Sequence, residues 1–174
     1  MARRKMKTEP WADEGRDPLE LLARLLVNGS YRVPTEGRST LPALGSSDIA
    51  AAVGYMPDAL EKHVALGVAT RVPPAAVARL SVLAYRRVAA AVRLARPRPL
   101  DLSAPADRWR LRLVIYDAAH ELIYPESARP YGELAKLAKT RKAAYIAAHR
   151  ITTAVLQEAL CDGRREFHRR LFKC

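Results

Sequence analysis

Apolar residues recur at helical spacing in segment after segment of this chain. Leu19, Leu22, Leu25 and Leu26 share one face of a first helix, with Asp17 placed to cap it, Pro18 at its opening position and Asn28-Gly29 at its end. Val77, Leu80, Leu83 or Ala84, Val88, Ala91 and Leu94 or Ala95 form a stripe from Ala75 to Arg96, opposite an arc of Arg79, Arg86, Arg87, Arg93 and Arg96. From Ala106 to Tyr124 two stripes run side by side. One holds Leu111, Val114, Ile115, Ala118 and Leu122; the other holds Trp109, Leu113, Tyr116 or Asp117, His120 and Tyr124. A helix apolar over that much of its circumference belongs in a core. Segments rich in Ala and Arg and poor in Thr, Ile and Phe favour helix over sheet. The expectation is an all-α fold of about six to eight helices.

Punctuation divides these helices into two expected lobes. A polar tail of mixed charge covers 1–17, and Pro34, Gly37, Pro42 and Gly45 mark a loop before Ser46. Pro97, Pro99 and Pro105 mark a linker over 97–105, between an N-terminal lobe at 18–96 and a C-terminal lobe at 106–174. Each lobe contains two helices joined by a short turn. In 46–67, Ser47 or Asp48 caps the first helix and Gly54 sits where a tight turn wants a left-handed residue. Pro57 then opens the second helix, with Leu60 and Val64 as its core contacts. In 131–160, Lys139-Thr140 forms the turn and Thr140 caps a second helix whose apolar stripe is Ala144, Ala148, Ile151, Val155 and Ala159. Cys161-Asp162-Gly163 ends it, and a last basic turn follows with Phe167 and Leu171 inward.

Charge separates the two halves. The net charge is +12. Residues 1–70 hold 9 Lys/Arg against 9 Asp/Glu, whereas 71–174 hold 21 against 9. An anionic partner follows, most commonly a phosphate backbone, with an acidic protein or a membrane surface as other takers. Cys161 and Cys174 make neither a disulfide framework nor a CxxC pair. No secretory signal opens the sequence, and arginines interrupt its longest apolar helix, so a soluble cytoplasmic protein is expected.

Catalysis finds little support. The four histidines are scattered, and no Gly-rich phosphate loop or nucleophile motif is present. Asp117 and Glu121, one turn apart, are at a spacing that nuclease metal sites use, but read more simply as neighbours on one helix near Arg110 and Arg112. No enzyme activity, cofactor or metal is expected.

The basic unit at 131–160 carries the functional expectation. Leu137, Ala138, Thr140 and Tyr145 follow the helix-turn-helix pattern from the turn onward; upstream, its small residue is met by Ala135, with Leu134 in the usual position. The stretch resembles the helix-turn-helix DNA-binding superfamily, as 46–67 also does. A basic unit of this kind late in a small Arg/Ala-rich chain looks like the promoter-reading region of sigma factors. It is also similar to phage late-gene antitermination regulators of the Q type. The resemblance implies a transcription regulator that reads double-stranded DNA, with RNA polymerase as a second partner. On that implication Arg141 and Lys142 reach bases or phosphates, Tyr145 and His149 line the groove wall, and Arg150 touches the backbone. Thr140 caps the reading helix, and Lys136, Lys139, Arg164 and Arg165 add phosphate contacts that position without specifying sequence. The other reading is a helical adaptor or inhibitor that lays a basic face on an acidic protein.

Overall fold

The computed structural model describes residues 15–26 and 45–172. Most of the expected 1–17 tail and the loop before Ser46 therefore lie outside the described residues. Seven α-helices and two single 3-10 turns, with no strand, make up the described regular structure, so the chain is all-α. They are α1 (Pro18–Ala23), α2 (Ser46–Gly54), α3 (Ala59–Thr70), α4 (Pro74–Leu94), α5 (Pro105–Ile123), α6 (Tyr131–Leu137) and α7 (Lys142–Phe172).

Local chemistry explains most boundaries. Asp17 accepts a hydrogen bond from the Leu19 N–H at 2.9 Å and Pro18 takes the first helical position, as anticipated. At α2 the cap position falls on Gly45, and Asp48 reaches back from inside the helix to the Gly45 N–H at 2.9 Å. Gly54 is the last residue of α2 and has no left-handed φ, because the chain leaves the helix through Tyr55 and buries Met56 instead of turning sharply. Asp58, not Pro57, starts α3, accepting from the Glu61 N–H at 3.0 Å. Leu60 and Val64 are in the core as expected.

The stripe of α4 is Val77, Leu80, Ala84, Val88 and Val92, while Leu83 and Leu94 are exposed. A repeat of 3.6 residues carries the stripe from Val88 to Val92, so Leu94 ends up on the far side of the helix. Leu100 and Leu102 are buried in a core shared by α3, α4, α5, α6 and α7. The 97–105 segment is thus a packed corner between α4 and α5, and helices from both expected lobes share one core. Prolines signal a break in helix but carry no information about whether the break is solvated. A second, smaller cluster joins Leu21, Leu22, Ile49 and Met56 to Phe167 and Leu171 at the far end of α7.

Helix α7 connects the two clusters. At 31 residues it is about 46 Å long. It packs against α1, α2, α3, α4, α5 and α6. The expected stop at Cys161-Asp162-Gly163 does not occur. Gly163 is buried within the helix, where its missing side chain allows α3 to approach.

Candidate nucleic-acid interface

The connection from α6 to α7 is a Schellman turn. The Lys139 N–H donates to the Lys136 carbonyl and the Thr140 N–H to the Ala135 carbonyl, both at 3.0 Å. Lys139 takes the left-handed residue of that motif at φ 50°, a place that glycine usually fills. Thr140 therefore closes α6. The first hydrogen bond of α7 runs from the Tyr145 N–H to the Arg141 carbonyl at 2.9 Å, which makes Arg141 the cap residue. Arginine has no acceptor to offer, and no described side chain accepts from the first-turn N–H groups of α7. From α5, Arg110 donates through Nε to the Ala138 carbonyl at 3.3 Å and through Nη1 to Asp107 at 2.6 Å, tying the turn to the core. Sequence reading missed that clamp, since a contact 28 positions apart leaves no periodic trace.

Around this open helix end Lys136, Lys139, Arg141 and Lys142 are exposed, Thr140 is half-buried, and Arg150 is exposed two turns along α7. None of the five cations is ion-paired to a carboxylate among the described residues. Arg164 and Arg165 are different. Arg164 pairs with Asp17 at 3.0 Å and Arg165 with Asp162 at 2.8 Å, and the two lie about 35 Å along α7 from Lys142. The expected set thus splits into an uncompensated group at the turn and a compensated pair at the far end.

Tyr145 and His149 are not on a groove-facing surface. The buried stripe of α7 is Tyr145, Ala148, Thr152, Leu156 and Ala159, with His149 beside it, so both aromatic residues are in the core and Ile151 and Val155 are only half-buried. The reason is chemical. Tyr145 Oη donates to Asp117 Oδ2 at 2.7 Å, and His149 Nε2 lies 3.1 Å from Glu121 Oε2, so α5 supplies polar partners that a hydrophobic count ignores. Burial raises the Asp117 pKa above its ordinary value despite that bond, and burial beside a carboxylate raises the Tyr145 phenol as well. Burial pushes His149 below the ordinary imidazole value, outweighing the pull of Glu121 and Asp117. Glu121 Oε2 is the carboxylate oxygen that this buried Nε2 faces, and no other described group partners it.

Asp117 and Glu121 thus face α7 instead of Arg110 and Arg112. The crevice beside them, bordered also by His120 and Arg129, holds only about 10 Å³, roughly the room one water needs. No group of three or more metal-ligating side chains is formed among the described residues. His120 is half-buried between the rings of Tyr116 and Tyr124, with centroids 6.1 and 5.1 Å away. No helix among the described residues is long and apolar enough to cross a membrane. Comparison with known proteins gave no matching family model, no matching curated protein and no matching solved structure.

Proposed function

We propose that the protein binds double-stranded DNA through the α6–α7 turn and the first turns of α7, as a transcription regulator with RNA polymerase as a second partner. One observation carries this reading: four exposed cations, none ion-paired among the described residues, surround a helix N-terminus whose N–H groups no described side chain caps. Cations at that end work against the helix dipole unless an anion arrives, and phosphate answers both the charge and the open N–H groups. The outer arc of α7 runs through Lys142, Ala143, Ile146, Ala147 and Arg150. Its alanines let backbone approach a groove closely. On this arc Arg141 and Lys142 reach bases or phosphates, Arg150 takes backbone, and Lys136 and Lys139 grip the flanking strand.

The test is the salt dependence of duplex binding by fluorescence anisotropy. Exchanging Arg141 and Lys142 for alanine should weaken binding and lower the log–log salt slope by about 2, since each phosphate left unneutralised removes about 0.9. Exchanging Arg164 and Arg165 should change the slope far less. No duplex affinity at low salt, or equal losses from the two double variants, would sink the reading. Capture of host DNA followed by footprinting then asks whether recovered sites lie at promoters or terminators.

A further inference from the structure

A second surface, on the side of α5 away from the Arg110 clamp, is built differently. Between α4 and α5 lies a cavity of about 340 Å³ lined by Ser81, Val82, Tyr85 and Arg112. Its walls are mostly hydrocarbon. The Ser81 hydroxyl donates to the Ala78 carbonyl at 2.7 Å and so is turned toward its own helix. The Arg112 guanidinium lies over the Tyr85 ring, 5.4 Å from its centroid. Val82, at the lip, is 74% exposed, and Trp109, one turn before Arg112, is 49% exposed. Exposure alone is shared by Tyr55, Leu94 and Leu137; what sets Val82 apart is that it lines an apolar concavity.

Charge selects the partner. Helix α4 contains no acidic residue, and Val82 sits between the exposed Arg79 and Arg86 on one line of that helix. No carboxylate is ion-paired to Arg79, Arg86 or Arg112 among the described residues, whereas Arg87 on the next flank is held by Asp58 and Glu61. A second copy of this chain would bring the same cations face to face. A nucleic-acid backbone would satisfy the arginines, yet it has no aliphatic side chain to fill the apolar cavity beside Val82. An acidic amphipathic helix supplies both, an apolar anchor for the cavity and carboxylates for the arginines on either side. At about 340 Å³ the cavity has room for more than one apolar side chain, as successive anchors on one helix face would need.

We infer that the α4–α5 groove is the docking site for an acidic amphipathic helix of a partner protein, anchored in the cavity at Val82 and Tyr85 and clamped by Arg79, Arg86 and Arg112. This surface is separate from the α6–α7 turn, and the inference stands whether or not that turn reads DNA.

A displayed library of random 16-residue peptides, selected on the full-length protein, tests it. Enriched peptides should be acidic, with apolar residues at i, i+3 or i+4, and i+7. Their affinity should fall at least about tenfold on Val82→Glu, and again on Arg112→Gln, with the circular dichroism of both variants unchanged. Val82→Glu should leave duplex DNA binding as it was. Enrichment of peptides without acidic residues overturns the inference. So does equal binding of the enriched peptides to the Val82→Glu protein, or a failure to enrich anything over that variant. A Val82→Glu variant that loses binding to a thymidine oligonucleotide while keeping the peptides would assign the groove to single-stranded nucleic acid instead.

Discussion

A Cβ built on Gly163 of α7 would fall 2.5 Å from the carbonyl oxygen of Glu61 on α3, so the two helices cross backbone against backbone. Mid-helix glycine normally costs about 1 kcal/mol relative to alanine. Here a methyl group has no room, because the atom opposite is main chain and cannot rotate away. Gly163→Ala should therefore destabilise the protein by about 1–3 kcal/mol, the range for overpacking. At Gly54 nothing lies within 4 Å of a built Cβ and the φ is not left-handed, so Gly54→Ala should stabilise by about 0.4–1 kcal/mol. Urea unfolding of the two variants reads opposite signs; a more stable Gly163→Ala protein would show that α3 and α7 do not cross at this point.

His149 predicts an acid-side loss of stability. Its folded pKa lies below the ordinary imidazole value of 6.5, mainly through burial, so the unfolded chain binds the proton more readily. The contribution is present above pH 6.5 and is lost as pH falls from there through the folded value. Asp117 acts in the opposite sense, since its raised folded pKa adds stability as pH drops toward the ordinary carboxyl value. Between about pH 7.5 and 5, His149→Gln should lose less unfolding free energy than the parent protein, even if the variant is less stable throughout. An unchanged slope would mean that the imidazole is solvated.

Asp58 does two jobs. It caps α3 through the Glu61 N–H at 3.0 Å, and its other oxygen receives Arg87 from α4. Asp58→Ala gives up both, the cap at about 1 kcal/mol and the ion pair on top of it. Asp58→Asn keeps the cap and gives up only a half-exposed ion pair, which is worth at most about 1 kcal/mol. Equilibrium unfolding should therefore rank Asn well above Ala. Equal losses would make the ion pair, rather than the cap, the larger contribution.

Lys139 sets stability against binding. Its left-handed backbone at φ 50° costs about 1–2 kcal/mol for a residue with a side chain, and glycine avoids that cost. Lys139→Gly should raise the melting temperature and at the same time weaken duplex binding by removing one phosphate partner. A variant that is both more stable and equally tight on DNA would remove Lys139 from the interface.

Periodicity, prolines and capping residues suffice to recognise an all-α chain, the start of α1, the core face of α5 and the basic stretch that ends in α7. These are local properties, written within one or two helical turns. Three features depend on residues far apart in sequence. Gly163 reads as a helix stop until Glu61 is brought against it, and then it becomes the residue that lets α3 cross an unbroken α7. Tyr145 and His149 read as amphipathic surface until Asp117 and Glu121 give them partners inside. The prolines of 97–105 read as a linker between two lobes, although Leu100 and Leu102 anchor the corner in the core. In each case a local preference worth about 1 kcal/mol or less per residue is overruled by packing against a partner that only the folded chain brings into reach. The uncompensated charge at the α6–α7 turn belongs to both levels. Its residues are visible in the sequence, but their lack of acidic partners among the described residues is decided by the fold.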